Sequence, residues 1–345
     1  MKVAIIASPY KTIPPKGYGG TELVIHYLIK GLKESGHQPI LFASADSKED
    51  CEIVPIIRKA TFFPKRTTQL PIFKQRMRQV EKRTIKKIYK ILPEIDVIHS
   101  HGLDLKDFAG FPNVTTLHGP ITFDNRQFYK DRRRLNYISI SHNQQNAYPD
   151  LNYIGVVYNG EDPTEFPLIK RPENYLCFLG RFDEEKSPHL AIELAINLGI
   201  KIKLAGKIDY QGYYYFRTKV QPYFSHPLVE YMGELEFEDK VKLVSHAKCN
   251  LHPTYFREPF GLSVLEAAYC GTPTLAISRG SMPEIIEHGR TGMLVEDFIE
   301  GFHAIGECFK MDREYIAKRA RRQFNYHNMT KDYIHAYRRA IRQHN

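Results

Sequence analysis

Short apolar segments of strand character alternate with helical segments along the first half of the chain, and the same alternation begins again after residue 172. In the first run, residues 2–8 read as a buried strand. Residues 21–35 carry Leu23, Val24, Tyr27, Leu28 and Leu32 at helical spacing and stop at Gly36, a residue suited to the turn that closes a helix. Further strands are expected over 38–43, 96–99, 114–117 and 137–140. The second run predicts strands over 175–179, 201–205, 229–232, 249–251 and 274–276, with a helix over 188–197. Strands that are apolar throughout are covered on both faces, the signature of a parallel sheet wrapped by helices. The expected fold class is therefore α/β, with two Rossmann-like, doubly wound parallel-sheet domains over residues 1–160 and 161–325. Such sheets take ligands at the carboxyl ends of their strands, and two of them facing each other would leave a cleft there.

The length of 345 residues is ample for two such cores. No apolar run approaches the ~20 residues of a membrane-spanning helix. The apolar start of the chain ends at Ala7, so it reads as a retained first strand rather than a signal peptide. Cys51, Cys177, Cys249, Cys270 and Cys308 are odd in number, widely spaced and form no CxxC. That suits a reducing, cytoplasmic setting and argues against a cysteine-built zinc site.

The net charge of +10 is unevenly placed. Residues 1–150 hold 24 basic and 14 acidic side chains, and the remainder holds 25 of each, so the whole excess lies in the first half. It is densest from Arg58 to Lys90, where Phe73, Met77, Val80, Ile88 and Ile91 fall near helical spacing. A solvated face of a helix packed on the sheet explains this, and a peripheral contact with anionic membrane is the second expectation. No nucleic-acid motif accompanies the charge, so no nucleic-acid partner is expected.

Three segments suit phosphate. Residues 14–22 place Gly17, Gly19 and Gly20 between the first strand and its helix, where bare backbone and free N–H groups can approach an anion. A third glycine at GxGxxG spacing is missing, and a plain strand-to-helix turn is equally compatible. Gly180-Arg181 with Lys186 flanks a helix start marked by Ser187 as N-cap and Pro188 at the first helical position. An Arg and a Lys there could clamp a diphosphate, or could pair with the neighbouring acids. The third segment is the sharpest: Glu258 and Glu266 enclose Phe260-Gly261-Leu262, with Glu258 before a helix and Glu266 one turn inside it. Carboxylates accept hydrogen bonds from paired sugar hydroxyls, whereas the plainer reading is a capping acid and a solvated one. Residues 280–284 read as a capping box, with Ser281 at the N-cap and Glu284 three residues on.

In their order along the chain these elements resemble the GT-B glycosyltransferases of the retaining family 4 type. The resemblance also rests on Val97-Ile98-His99-Ser100-His101-Gly102, Leu117-His118-Gly119, Tyr158-Asn159-Gly160-Glu161-Asp162 and Gly289-Arg290-Thr291-Gly292. It implies that Arg181 and Lys186 bind the donor diphosphate, that Glu258 holds donor-sugar hydroxyls, and that Glu266 holds the ribose. Gly19, Gly20, Phe260 and the amides of Gly261 and Leu262 would line the donor site. Gly206 and Glu234 would lie near the base, and His118 near the reacting centre. The terminal segment 326–345 would be a helix returning to the first domain. For His99 and His101 a structural or acceptor-side role is expected, with zinc held by His99, His101 and His118 the lesser alternative.

The implied activity moves a hexosyl group from a nucleoside-diphosphate sugar, a UDP-sugar by expectation, to a hydroxyl with retention at the anomeric carbon. The acceptor, a carbohydrate, a lipid-linked or a small molecule, is not specified by these motifs. No D-x-D motif occurs, and cationic side chains with helix N–H groups could carry the leaving charge, so neither a cofactor nor a divalent metal is expected. A sugar-nucleotide epimerase of similar fold, an NAD-dependent dehydrogenase and a non-catalytic anion-binding scaffold are the alternatives.

Overall fold

Neighbouring strands in the computed structural model, which describes residues 1–17, 19–61, 70–208 and 212–344, pair in parallel throughout both sheets. The first sheet contains β1 (Lys2–Ile6), β2 (Gln38–Ser44), β3 (Glu52–Ile57), β4 (Val97–Ser100), β5 (Asn113–Leu117), β6 (Tyr137–Ser139) and β7 (Tyr153–Val156). The second contains β8 (Tyr175–Leu179), β9 (Lys201–Ala205), β10 (Val229–Tyr231), β11 (Cys249–His252), β12 (Thr274–Ile277) and β13 (Gly292–Val295). Their orders are β3-β2-β1-β4-β5-β6-β7 and β10-β9-β8-β11-β12-β13. Both orders reverse next to the first strand of the sheet, which is the doubly wound arrangement. The chain divides into one unit of Met1–Glu161 with Tyr326–Asn345 and a second of Asp162–Asn325.

The central strands β1, β4, β8 and β11 are buried almost throughout, as expected for strands covered on both faces. The edge strands β3, β7 and β13 mix buried positions with half-buried ones, and β3 also has exposed ones. Helix Gly20–Glu34 buries Val24, Ile25, Tyr27, Leu28 and Leu32, and Gly36 just beyond it takes a positive φ of 74°. In helix Leu70–Ile91, Val80, Thr84 and Ile88 are buried, while Lys74, Arg78, Lys82 and Lys86 are exposed. The dense basic stretch is thus largely the solvated face of a packed helix. Its members Lys65 and Arg66 lie outside the described residues.

Helix Tyr326–His344 belongs to the first unit. Its buried Met329, Tyr333, Ala336, Tyr337 and Ala340 form one helical stripe, which packs on β4, β5, β7 and helix Gly20–Glu34. Tyr326 stacks on Tyr27 at 5.9 Å and donates its hydroxyl to Glu34 at 3.0 Å. A Cβ added at Gly31 would lie 2.1 Å from Thr330 Oγ1, so the two helices meet where only glycine fits. Gly31→Ala should therefore cost about 1–3 kcal/mol by overpacking and lower the thermal midpoint of the first unit. Gly110→Ala, whose added Cβ meets nothing within 4 Å, should leave that midpoint unchanged; equal midpoints for both variants would contradict the packing described.

Candidate active site

In the second sheet the strand order runs outward in both directions from β8 and β11. The chain leaving these neighbours diverges, and open α/β sheets take ligands in the crevice so formed. The segment after β8 carries Arg181 and Lys186, and the segment after β11 carries Glu258. Lys186 Nζ makes a direct ion pair with Glu258 Oε2, and the two side chains keep only 14% and 13% of their exposure. Burial pushes the Glu258 carboxyl up, but Lys186, His252 and Arg181 together outweigh it and the net shift is downward, so Glu258 is ionised.

His252, the last residue of β11, stands beside this pair. Its Nε2 is 3.8 Å from Glu258 Oε2, beyond hydrogen-bond length, and has no hydrogen-bond partner. Burial, reinforced by Lys186, lowers its pKa to about 3, so the ring is neutral. Thr254 Oγ1 is likewise buried without a partner. Unsatisfied buried polar atoms cost about 1–3 kcal/mol each, and a hydroxyl-bearing ligand could satisfy both.

Arg181 does not reach Glu258. It pairs with Asp183 at 2.6 Å and Glu185 at 2.9 Å within its own segment. That segment is tightly turned: Asp183 Oδ1 accepts the Lys186 amide at 3.0 Å, and the Asp183 carbonyl accepts the Ser187 amide at 3.1 Å. Helix Pro188–Asn197 begins where expected, but Ser187 does not cap it with its side chain. Its backbone sits at a positive φ of 48°, and the hydroxyl donates instead to the Glu184 carbonyl at 2.7 Å.

The Ser281 capping box also fails to form, because only the four-residue helix Met282–Ile285 follows and the Ser281 side chain makes no cap. Ser281 Oγ donates to the Phe260 carbonyl at 2.6 Å, and the Ser281 amide donates to the Glu258 carbonyl at 3.0 Å. Gly280, at φ 61°, lies so close that an added Cβ would be 2.4 Å from both the amide nitrogen and the carbonyl oxygen of Glu258. This turn therefore clamps the backbone that carries Glu258.

Helix Leu262–Tyr269 starts at Gly261, whose φ is 95°. Its internal bonding begins with Val264 and Leu265 donating to the Gly261 carbonyl, so the Leu262 and Ser263 amides come before the ladder, as at any helix start. The Phe260 ring is buried edge-on against Phe324, 6.1 Å away. Glu266, one turn into the helix, is 4% exposed and pairs with Lys240 at 2.5 Å.

At the ends of β9 and β10, the Gly206 amide donates to the Gly233 carbonyl at 2.8 Å, and the neighbouring Glu234 is exposed. A Cβ on Gly206 would fall 1.7 Å from the Gly180 carbonyl oxygen. Gly206 thus lets β9 end against the turn that leads into Arg181.

The first unit places the remaining candidates at the carboxyl ends of its own strands. Gly19 caps helix Gly20–Glu34, and an added Cβ there would meet Pro15 at 2.6 Å; Tyr18 lies outside the described residues. His99 Nδ1 is 2.7 Å from the Tyr337 hydroxyl and its Nε2 is 2.7 Å from Thr116 Oγ1. Thr116 in turn donates to the Tyr333 hydroxyl at 3.2 Å, so Nε2–H donates to Thr116 and Nδ1 accepts from Tyr337. His101 Nδ1 lies 2.7 Å from His118 Nε2, with the rings stacked at 5.0 Å. These contacts are a hydrogen-bonded network, not three rings converging on one zinc ion; both nitrogens of His99 are already engaged.

His101 Nε2 is buried without a partner. A bare nitrogen is tolerated there better than an N–H lacking an acceptor. His101 Nδ1–H therefore donates to His118 Nε2, and the His118 proton sits on Nδ1. Lys240 and His252 are the site residues that sequence reasoning missed. His252 carried one usable signal, a polar ring at the end of an apolar strand.

Two domain families match the chain in turn. "Glycosyltransferase Family 4" matches residues 18–163, and "Glycosyl transferases group 1" matches residues 162–321. An uncharacterized glycosyltransferase of Methanocaldococcus jannaschii is 23% identical, with 99% of each chain covered. The glycogen synthase of Mycobacterium tuberculosis is 29% identical over 42% of this chain, a match spanning only 36% of that enzyme's length. Among solved structures, Anabaena HepE in complex with UDP and glucose has a TM-score of 0.75 at 17% identity, covering 97% of this chain and 98% of its own.

Burial lowers the His118 pKa to about 4. Nitrogen-15 NMR at pH 7 should show a neutral His118 ring protonated on Nδ1, and its titration midpoint should lie near 4. Between pH 6.5 and that midpoint the unfolded chain takes up a proton that the folded chain does not, so stability falls as pH drops across this window. A midpoint near 6.5, or a proton on Nε2 of His118, would contradict the assignment.

Proposed function

We propose that the chain, matched in turn by two glycosyltransferase domain families over residues 18–321, is a GT-B glycosyltransferase of the family 4 type that moves a hexosyl group from a UDP-sugar to a hydroxyl with retention of anomeric configuration. The observation that carries this reading is the contact between Lys186 and Glu258. A sugar 1-phosphate bears its ring hydroxyls and its first phosphate on neighbouring atoms. A carboxylate touching an ammonium presents the matching pair, an acceptor for hydroxyls beside a cation for phosphate. The HepE complex with UDP and glucose supports the choice of base and sugar.

In the proposed reaction the bond from the anomeric carbon to the diphosphate oxygen breaks, and its electron pair leaves with the diphosphate. Lys186, Arg181 and the first amides of helix Leu262–Tyr269 stabilise that developing charge. Removing one such donor in a preorganised site costs about 10²–10³ in rate. Arg181 must swing away from Asp183 and Glu185, and partly exposed pairs of this kind hold it by only about 0–1 kcal/mol. The acceptor oxygen bonds to the same face of the sugar, and its proton passes to the departing diphosphate. With cations supplied by the chain itself, no divalent metal is required for this step. Glu266 with Lys240 holds the ribose end, and Gly206 and Glu234 lie toward the base.

The chain works in a reducing cytoplasmic setting in this reading, with the exposed basic face of helix Leu70–Ile91 available to anionic lipid. No helix among the described residues is long and apolar enough to cross a membrane. A thermal-shift comparison tests the donor site. UDP and UDP-glucose should both stabilise the protein, UDP-glucose by more, and Glu258→Ala should erase only the difference between them. Absence of stabilisation by any nucleoside diphosphate would refute the reading. NMR of the product should show the donor's anomeric configuration, and an excess of chelator should leave turnover intact; inversion or loss of turnover would each overturn the corresponding part.

A further inference from the structure

The first unit holds a second concavity, at the end of its sheet opposite to His101 and His118. A cavity of about 780 Å³ is lined by Lys106, Lys130, Arg133 and Arg134, with Asn113 and Asn136 also on its wall. Asn113 opens β5 and Asn136 directly precedes β6, so the cavity sits at the amino ends of these strands. His118 follows the carboxyl end of β5, five residues further along, about 17 Å at strand spacing. The volume lies within the ~300–1,000 Å³ usual for small-molecule sites.

Two independent features give this cavity a ligand chemistry. Lys106, Lys130, Arg133 and Arg134 are exposed, and none makes an ion pair among the described residues. Arg132, between them, is instead fixed to Asp104 at 2.7 Å and lies over the Phe128 ring. Four cations without ion pairs, against the single carboxylate of Asp131 on the same wall, give the concavity a net positive charge that attracts an anion. The second feature is a chain of buried amides. Asn152 Nδ2 donates to Asn136 Oδ1 at 2.7 Å, Asn136 Nδ2 to the Asn113 carbonyl at 3.0 Å, and Asn113 Nδ2 to the Phe108 and Phe111 carbonyls. These bonds fix the Asn113 amide, whose Oδ1 is buried and has no partner. Asn113 is 1% exposed, and an acceptor left over in such a place calls for a donor, which a phosphate anion is not and a hydroxyl is.

We propose that this cavity binds a phosphate ester carrying free hydroxyls, at a site separate from the donor site. Arg133, Arg134, Lys130 and Lys106 take the phosphate, and Asn113 Oδ1 takes a hydroxyl. The same chemistry occurs in a soluble sugar phosphate and in the headgroup of an inositol lipid.

The test titrates the full chain, saturated with UDP, against glucose 6-phosphate by calorimetry, and against phosphatidylinositol–phosphatidylcholine vesicles by sedimentation. Pure phosphatidylcholine vesicles are the blank. Saturable binding of either probe is expected, with the stronger one naming the source. Arg133→Glu/Arg134→Glu should weaken it at least about tenfold, since charge-assisted contacts are lost, while Lys186→Ala should leave it unchanged. Lys130→Gln, a change at an exposed position that spares the fold, should weaken it in the same direction. Binding unaffected by the cavity variants, or binding of neither probe, would overturn the proposal without touching the donor site.

Discussion

A lysine and a glutamate meet, largely out of solvent, where the second sheet reverses its strand order, and the rest of the site is arranged around that contact. Burying two opposite charges is not a stabilising act in itself. Desolvation costs several kcal/mol per ion, and apolar replacements of similar volume are often neutral or better. The surroundings do not complete the pair either: His252 Nε2 and Thr254 Oγ1 stand buried and unsatisfied nearby. Folding alone would not select this arrangement, whereas a ligand bearing both hydroxyls and phosphate would. The backbone is held to the same end, with Gly280 and Ser281 pressed on the Glu258 main chain and Gly206 on Gly180.

The first unit solves a different problem, keeping histidines neutral and oriented inside a sheet. Burial lowers the pKa of His99, His101 and His118, so they act as hydrogen-bonding groups and not as cations. Their partners come from far along the chain. Tyr333 and Tyr337, on the last helix, reach Thr116 and His99. The terminal helix is thus part of the support for the ring that touches His118's neighbour: His99 and His101 lie 4.1 Å apart, centroid to centroid.

Much of this was legible in the sequence, and the omissions share a cause. The strands read correctly include the buried central ones and a single edge strand, β10. The three overlooked, β3, β7 and β13, all lie at sheet edges, where one side is less covered and the pattern is diluted by Pro55, Gly155 and Gly292. Arg181, Lys186, Glu258 and Glu266 stood out as candidates because their segments flank helix starts, where backbone chemistry already favours anions and their ligands. The Lys240–Glu266 pair and the His101–His118 contact were not legible, because no local spacing announces a meeting of residues 26 and 17 positions apart. The two serine caps failed for a related reason. Ser187 and Ser281 occupy the predicted positions, but nearby carbonyls compete for their hydroxyls.

The central claim is that Lys186, paired with Glu258, and Arg181 of the same segment carry the charge of a departing diphosphate. Its most direct measurement is the rate of UDP release from UDP-glucose by Arg181→Ala/Lys186→Ala, in protein whose thermal midpoint matches the parent. The account predicts a fall of about a thousandfold or more, given the ~10²–10³ per preorganised donor. A rate equal to that of the parent chain would contradict it.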